Sequence, residues 1–360
     1  MTRFFVRLVM VRASPDCLTE PVITRTEPDE ATAAFIAGMP KAELHVHLEG
    51  TLEPVQRLEF AERNGVALPQ DDVAVYTDLT SFLASYYPNM TVLQTERDFF
   101  DLAFAYLTKA AGQNVRHTEM FFDPQAHTSR GIAFATVIAG YHEAVVRAER
   151  ELDISAQLIM CILRDHSAES AMDTLAESLH YKHWIVGIGL DSDERDNPPS
   201  KFARVFARAR EEGYLLTMHC DVDQPNSIEH IRQAIEDIGV DRIDHGTNIL
   251  EDPRLVALAR DRGIGLTSCP LSNAVVSDGG KAPEIVELLR AGVKITVNSD
   301  DPPYFGGYVT DNLLALAAVT DLSRDELVLL QRNAFEISWI SSVDRDAHLD
   351  ALDAYAAGTD

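Results

Sequence analysis

Positive charge is what this chain has least of. Lys and Arg number 31 against 57 Asp and Glu in 360 residues, a formal net charge of −26. Nucleic acid and anionic membrane surfaces both demand a cationic face, so neither is expected as the main partner; the acidity reads as a solvated surface. Cysteine is equally sparse. Cys17, Cys161, Cys220 and Cys269 are scattered with no C-x-x-C pair, which excludes a disulfide framework and a Cys-built zinc site and suits a reducing cytoplasm. No run of about 18 apolar residues occurs, so no membrane span is expected. The apolar first eleven residues are broken by Arg3 and Arg7 and followed by acidic positions without an evident cleavage site. They read as an extension rather than a signal peptide. Low-complexity tracts and internal repeats are also missing.

What is present is a rhythm. With 46% hydrophobic residues the chain can bury a large core. From Lys41 onward, short β-rich runs alternate with longer amphipathic stretches. Strands are expected at 42–48, 115–122, 154–163, 184–190, 214–219, 242–245, 264–269 and 293–299. Helical patterns include 96–111, 132–151, 200–212, 228–238, 253–262 and 282–291. Gly213, Gly239, Gly263 and Gly292 each fall between a helix and the next strand, where a left-handed cap is wanted. Eight such units predict an α/β fold, a (β/α)8 TIM-type barrel. An open doubly wound sheet is the rival, but no Gly-rich phosphate turn follows the first strand. The segment 68–95 is too long for a plain connection and predicts short helices over one rim. The expected organisation is an N-terminal extension at 1–38, the barrel at 39–345 and a C-terminal tail at 346–360.

In such a barrel the chemistry lies at the C-terminal ends of the strands. The first strand ends in His45-Val46-His47, and the two-residue period puts both imidazoles on one side. Strand five ends in His219, strand six in His245, and strand eight in Asn298-Ser299-Asp300-Asp301-Pro302. Any one of these is ordinary: a lone inward His is usually a hydrogen-bonded core residue, and Asp-Asp-Pro is usually a turn. Four imidazoles and a carboxylate converging on one rim point instead to a divalent ion. Nitrogen and oxygen donors suit zinc or a similar cation. A binuclear site would need a bridging ligand, in related barrels a carboxylated Lys at the end of strand four. Strand four ends Gly189-Leu190-Asp191-Ser192. One ion per chain is therefore expected.

Long motifs carry a resemblance. PKAELHVHLEG at 40–50, FFDPQ at 121–125, RIDHG at 242–246, CPLSN at 269–273, VNSDDP at 297–302 and YFGGYVT at 304–310 resemble the adenosine/adenine deaminases of the amidohydrolase superfamily, closest to the bacterial and fungal adenine deaminase branch. The resemblance implies a metal-dependent hydrolase barrel that removes the 6-amino group of an adenine-type purine, giving the 6-oxo purine and ammonia. It implies that His45, His47, His219 and Asp300 hold one zinc, that His245 orients the attacking water, and that Asp301 binds the purine at N7. The substrate class spans adenine, adenosine, nucleotides and N6-substituted adenines. Glu49 and Ser192 would face the pocket beyond the six-membered ring.

One feature departs from the pattern. The family reads His-Ala-Gly-Glu after strand five, the Glu protonating N1. Here the chain reads His219-Cys220-Asp221-Val222-Asp223-Gln224, with Val222 in place of the acid. Asp223 is the first choice to replace it and Asp221 the second, unless the acidic turn has no catalytic part. Two other readings stand beside the deaminase: a purine-binding protein that lost catalysis with the Glu, and another amidohydrolase reaction on the same mononuclear site. The expected partner is a small-molecule purine, in the cytoplasm, without nucleic acid or membrane; a homo-oligomer is left open.

Overall fold

The computed structural model describes residues 28–68, 76–220, 226–277 and 279–358. Eight strands stand side by side in chain order: β1 Lys41–His47, β2 Val115–Phe122, β3 Ser155–Leu163, β4 Ile185–Asp191, β5 Leu215–Cys220, β6 Arg242–His245, β7 Gly265–Ser268 and β8 Ile295–Val297. Each is parallel to the next. β8 is only three residues long, so it meets β1 through side chains and a bridge rather than a full ladder. Leu44 N donates to Asn298 Oδ1 at 2.8 Å. Past the strand, Asp300 N donates to His45 O and His47 N to Asp300 O, both at 3.0 Å. The barrel is thereby nearly closed.

Helices cover the outside. Glu96–Gly112 starts at Thr95, whose side chain accepts from Asp98 N, and buries a face of Phe99, Leu102, Ala103, Tyr106 and Leu107. Phe134–Glu151 buries Val137, Ile138, Tyr141, Ala144 and Ala148, the spacing of one helical face. The two helices touch at Gly140, where a Cβ would lie 2.3 Å from Glu96 O. Only glycine permits that approach. Gly239 and Gly263 take the left-handed caps expected of them.

Two expectations shift. Residues 30–38 of the expected extension are a helix that joins the fold: Asp29 caps Glu30–Gly38, and Tyr355 OH donates to Phe35 O at 2.9 Å. Residues 1–27 of the extension lie outside the described residues. The expected tail boundary at 345 falls inside one continuous helix, Ser342–Gly358, which buries Leu352. The rim helix expected within 68–95 is Leu79–Asn89. Its Phe82 and Tyr86 form a small apolar cluster with Val276 and Phe305, separate from the main core, over the C-terminal mouth. No helix among the described residues is long and apolar enough to cross a membrane.

Candidate active site

Strand β1 turns His45 and His47 into the mouth, and β5 brings His219 to meet them. His219 Nε2 lies 3.1 Å from both His45 Nε2 and His47 Nε2. Their protons can be placed from their other nitrogens. His219 Nδ1 is 3.1 Å from Leu190 O, and His45 Nδ1 is 3.2 Å from Thr267 O. A carbonyl only accepts, so each Nδ1 carries the hydrogen and each Nε2 presents a lone pair. Asp300 Oδ1 adds a carboxylate 3.4 Å from His45 Nε2 and 3.5 Å from His47 Nε2. Lone pairs this close repel unless a cation lies among them. Donors about 2.0–2.1 Å from a tetrahedral zinc stand about 3.3 Å from one another, so the residues present fit such an ion. Asp244 supports the set from behind: it accepts from Thr217 Oγ1 at 2.7 Å and Thr267 Oγ1 at 2.9 Å and faces His219 Nδ1 at 3.5 Å. Cys269 is also near His45 and Asp300, and burial pushes its thiol well up.

The end of β8 is fastened by a buried carboxylate. Glu43 Oε1 accepts from Ser299 N at 3.1 Å and from the Ser299 hydroxyl, while Tyr106 OH donates to Glu43 Oε2 at 2.6 Å. Asp300 then takes φ 63°. A regular strand would send adjacent side chains to opposite faces; here Asp300 and Asp301 both line the pocket. Burial works against ionisation of Asp300, yet the imidazoles of His45, His245 and His47 hold it well below the usual carboxylate range. Asp301 goes the other way: burial, then the charge of Asp300, pushes its carboxyl well up. Its seat depends on Gly50, where a Cβ would stand 1.8 Å from Asp301 Oδ1.

His245, at φ 61°, places Nε2 3.7 Å from Asp300 Oδ2, and burial followed by the nearness of His45 lowers it to about 4. Ser192 lines the pocket and receives the Tyr87 hydroxyl at 2.7 Å. Glu49 is placed differently from expectation. It sits in the 3-10 turn Glu49–Thr51, its Oε1 receiving His127 Nε2 at 2.8 Å, Tyr141 OH at 3.0 Å and Asp123 N at 3.3 Å. That turn carries it off the pocket lining and into support of the β2 end. Asp221 and Asp223 lie outside the described residues.

Three pocket acids were not singled out from the sequence. Asp191 ends β4, Asp123 follows β2, and Glu194 faces His230 Nδ1 at 3.3 Å and Arg164 at 3.7 Å. The strand-end rule that found His219 also marks Asp123 and Asp191; Glu194, deeper in its loop, has no such signal. Burial above all, then Asp191 and Glu49, pushes Asp123 well up, and burial takes Asp191 to about 7. No Lys or Arg occurs among the described residues that line the pocket.

An eight-stranded parallel barrel with a His-rich donor set at its C-terminal mouth defines an amidohydrolase-type, metal-dependent hydrolase. Residues 40–355 match the adenosine deaminase family model. An uncharacterised deaminase from Schizosaccharomyces pombe is 51% identical over 91% of this chain and 98% of its own length. The adenine deaminase of Sphingopyxis alaskensis is also 51% identical, with the same coverage of both chains. The crystal structure of adenine deaminase from Arthrobacter aurescens superposes with a TM-score of 0.84 at 42% identity, covering 89% of this chain and all of that one. An amidohydrolase from Burkholderia ambifaria, solved with bound zinc, gives 0.83 at 25% identity, covering 94% of this chain and 97% of its own. The chain belongs to the adenosine deaminase family and is a hydrolytic purine deaminase.

Proposed function

We propose that this enzyme removes the 6-amino group of an adenine-type free base, adenine itself or an N6-substituted adenine, releasing the 6-oxo purine and ammonia or the corresponding amine. The carrying observation is the pocket above the donor cluster. Its walls are apolar and aromatic (Phe82, Leu83, Tyr86, Val276 and Phe305), its polar groups are carboxyls and imidazoles, and no described lining residue is Lys or Arg. An uncharged heteroaromatic ring suits those walls, whereas the phosphate of a nucleotide would meet acids without a cation to offset them.

His45, His47, His219 and Asp300 would hold one zinc or similar ion. The chemistry such an ion supplies when bound is a water acidified toward neutral pH. His245, neutral at that pH, accepts and orients a proton of the attacking water at Nε2. Asp301, whose carboxyl burial pushes well up, is placed to hydrogen-bond the ring at N7. Asp223 is the proposed donor to N1, with Asp221 as the alternative, so that C6 can become tetrahedral before the C6–N6 bond breaks and the nitrogen leaves with a proton.

Ammonia or amine release from a panel of adenine, N6-alkyl adenines, adenosine and AMP, with metal content measured on the same protein, tests this reading. About one ion per chain and turnover of bases well above AMP are expected. His219→Ala should lose metal and activity together, and Asp223→Asn should keep metal while losing most of kcat. Tight binding of the bases with no turnover would replace the enzyme by a purine-binding protein. An unimpaired Asp223→Asn with a crippled Asp221→Asn would move the acid to Asp221.

A further inference from the structure

Strand β6 sets one carboxylate between two of the imidazoles. In the parallel register Asp244 pairs with His219 on β5 and with Thr267 on β7, and it is fully buried. Its Oδ2 accepts from Thr217 Oγ1 at 2.7 Å and lies 3.5 Å from His219 Nδ1. Its Oδ1 accepts from Thr267 Oγ1 at 2.9 Å. A hydroxyl carries one hydrogen, so Thr267, having given it to Asp244, can only accept from His45 Nδ1, also at 2.9 Å. One carboxylate thus reaches the outer nitrogen of His219 directly and that of His45 through a single hydroxyl.

Burying a carboxylate is costly, and two threonine hydroxyls do not require one. The cation beneath it, Arg242, stands with Nε 3.9 Å from Asp244 Oδ1 and gives its 2.6 Å contact to Glu119 instead. The use of a negative charge here lies on the other side, toward His45 and His219, whose Nε2 lone pairs face each other at 3.1 Å. A carboxylate behind an imidazole N–H fixes the ring and its tautomer, and it makes the opposite nitrogen a stronger donor to a cation. We propose that Asp244 is a positioning residue for both imidazoles, with Thr267 as its link to His45, and that it sets how tightly the ion is held. This rests on the metal-holding role proposed above for His45, His47, His219 and Asp300.

The test is zinc affinity, measured on metal-depleted protein by competition with a chromophoric chelator, beside the urea midpoint of the metal-free protein as a control for packing. Asp244→Asn should weaken zinc binding by roughly 10- to 100-fold. Thr267→Val should weaken it as well, while Thr267→Ser, which keeps the hydroxyl, should stay within a few-fold of the parent. In the double variant Asp244→Asn with Thr267→Val, the loss should fall short of the product of the two single losses, because the hydroxyl acts through the carboxylate. Parent-like affinity in both Asp244→Asn and Thr267→Val, with only the urea midpoint lowered, would make Asp244 a packing residue and overturn the proposal. Losses that multiply in the double variant would overturn the link through Thr267. If Asp244→Asn does not fold, Thr267→Val against Thr267→Ser still decides, since equal affinities in that pair would overturn it. A parent that binds no zinc would remove the metal site and the proposal together, whereas a zinc-binding parent matched by its variants would remove the proposal alone.

Discussion

His245 has its backbone in the left-handed region, φ 61°, a conformation that costs a non-glycine residue free energy and so needs support from its surroundings. The strain aims the imidazole at Asp300 without inserting it among the closest donors: 3.7 Å separates His245 Nε2 from Asp300 Oδ2, against 3.1 Å between His219 Nε2 and each β1 imidazole. Its Nδ1 is buried with no partner among the described residues. His245→Ala should therefore keep its metal while kcat falls by roughly 10²-fold or more, the usual scale for such groups. Metal analysis beside steady-state kinetics decides it; an apo protein with an intact fold would make His245 a ligand. The sequence made the chemical type of His45, His47, His219, His245 and Asp300 readable, because each stands at a strand end. The tautomers were not readable. They depend on Leu190 O and Thr267 O, backbone atoms that the barrel brings in from neighbouring strands.

At the scale of elements, the β1 turn and the β8 turn are built as one piece. Gly50, just after β1, has no room for a Cβ, which would approach Asp301 Oδ1, Cγ and its own Cβ at 1.8, 2.6 and 2.9 Å. The last of these belongs to a stiff part of the side chain, so rotation of the carboxyl alone does not clear it. Gly50→Ala should displace Asp301 and lower kcat/KM by about 10²-fold, the cost of roughly an ångström of misplacement, with metal content and far-ultraviolet circular dichroism unchanged. Activity within a few-fold of the parent would show that the turn yields and that Asp301 need not sit where it does. Strand positions were legible because their apolar runs are bounded by glycine and polar clusters. The β8 expectation of 293–299 was too long: Ile295–Val297 alone is strand, since Asn298 and Glu43 side chains replace the ladder that would have continued it. Rim and C-terminal helices such as Pro270–Val276 and Val309–Val319 were not singled out, short or evenly apolar segments carrying little periodic signal.

For the whole molecule, a buried ion pair ties β2 to β6 beneath the site. Arg242 NH1 lies 2.6 Å from Glu119 Oε2, both residues fully buried, and the guanidinium sits 4.2 Å over the Trp339 ring. Burial raises the Glu119 carboxyl, and Arg242 together with His117 more than reverses it. Glu119→Gln would take from the buried guanidinium the nearer of its two carboxylates, leaving Asp244 Oδ1 at 3.9 Å from Arg242 Nε, so stability should fall by about 3 kcal/mol, read as a lower urea midpoint; a loss under about 1 kcal/mol would mean that Asp244 and the stacked Trp339 suffice to hold Arg242. By itself, the sequence determined the strand and helix rhythm, the parallel barrel and the His and Asp donors at its mouth. Periodicity and strand-end position are local properties written along the chain. Tertiary structure alone decided that Asp300 and Asp301 share a face, that Glu49 turns from the pocket to brace Asp123, and that Asp123 and Asp191 meet. Each of these depends on a left-handed residue or on contacts between distant strands, and a side chain's direction there is fixed only when the barrel closes.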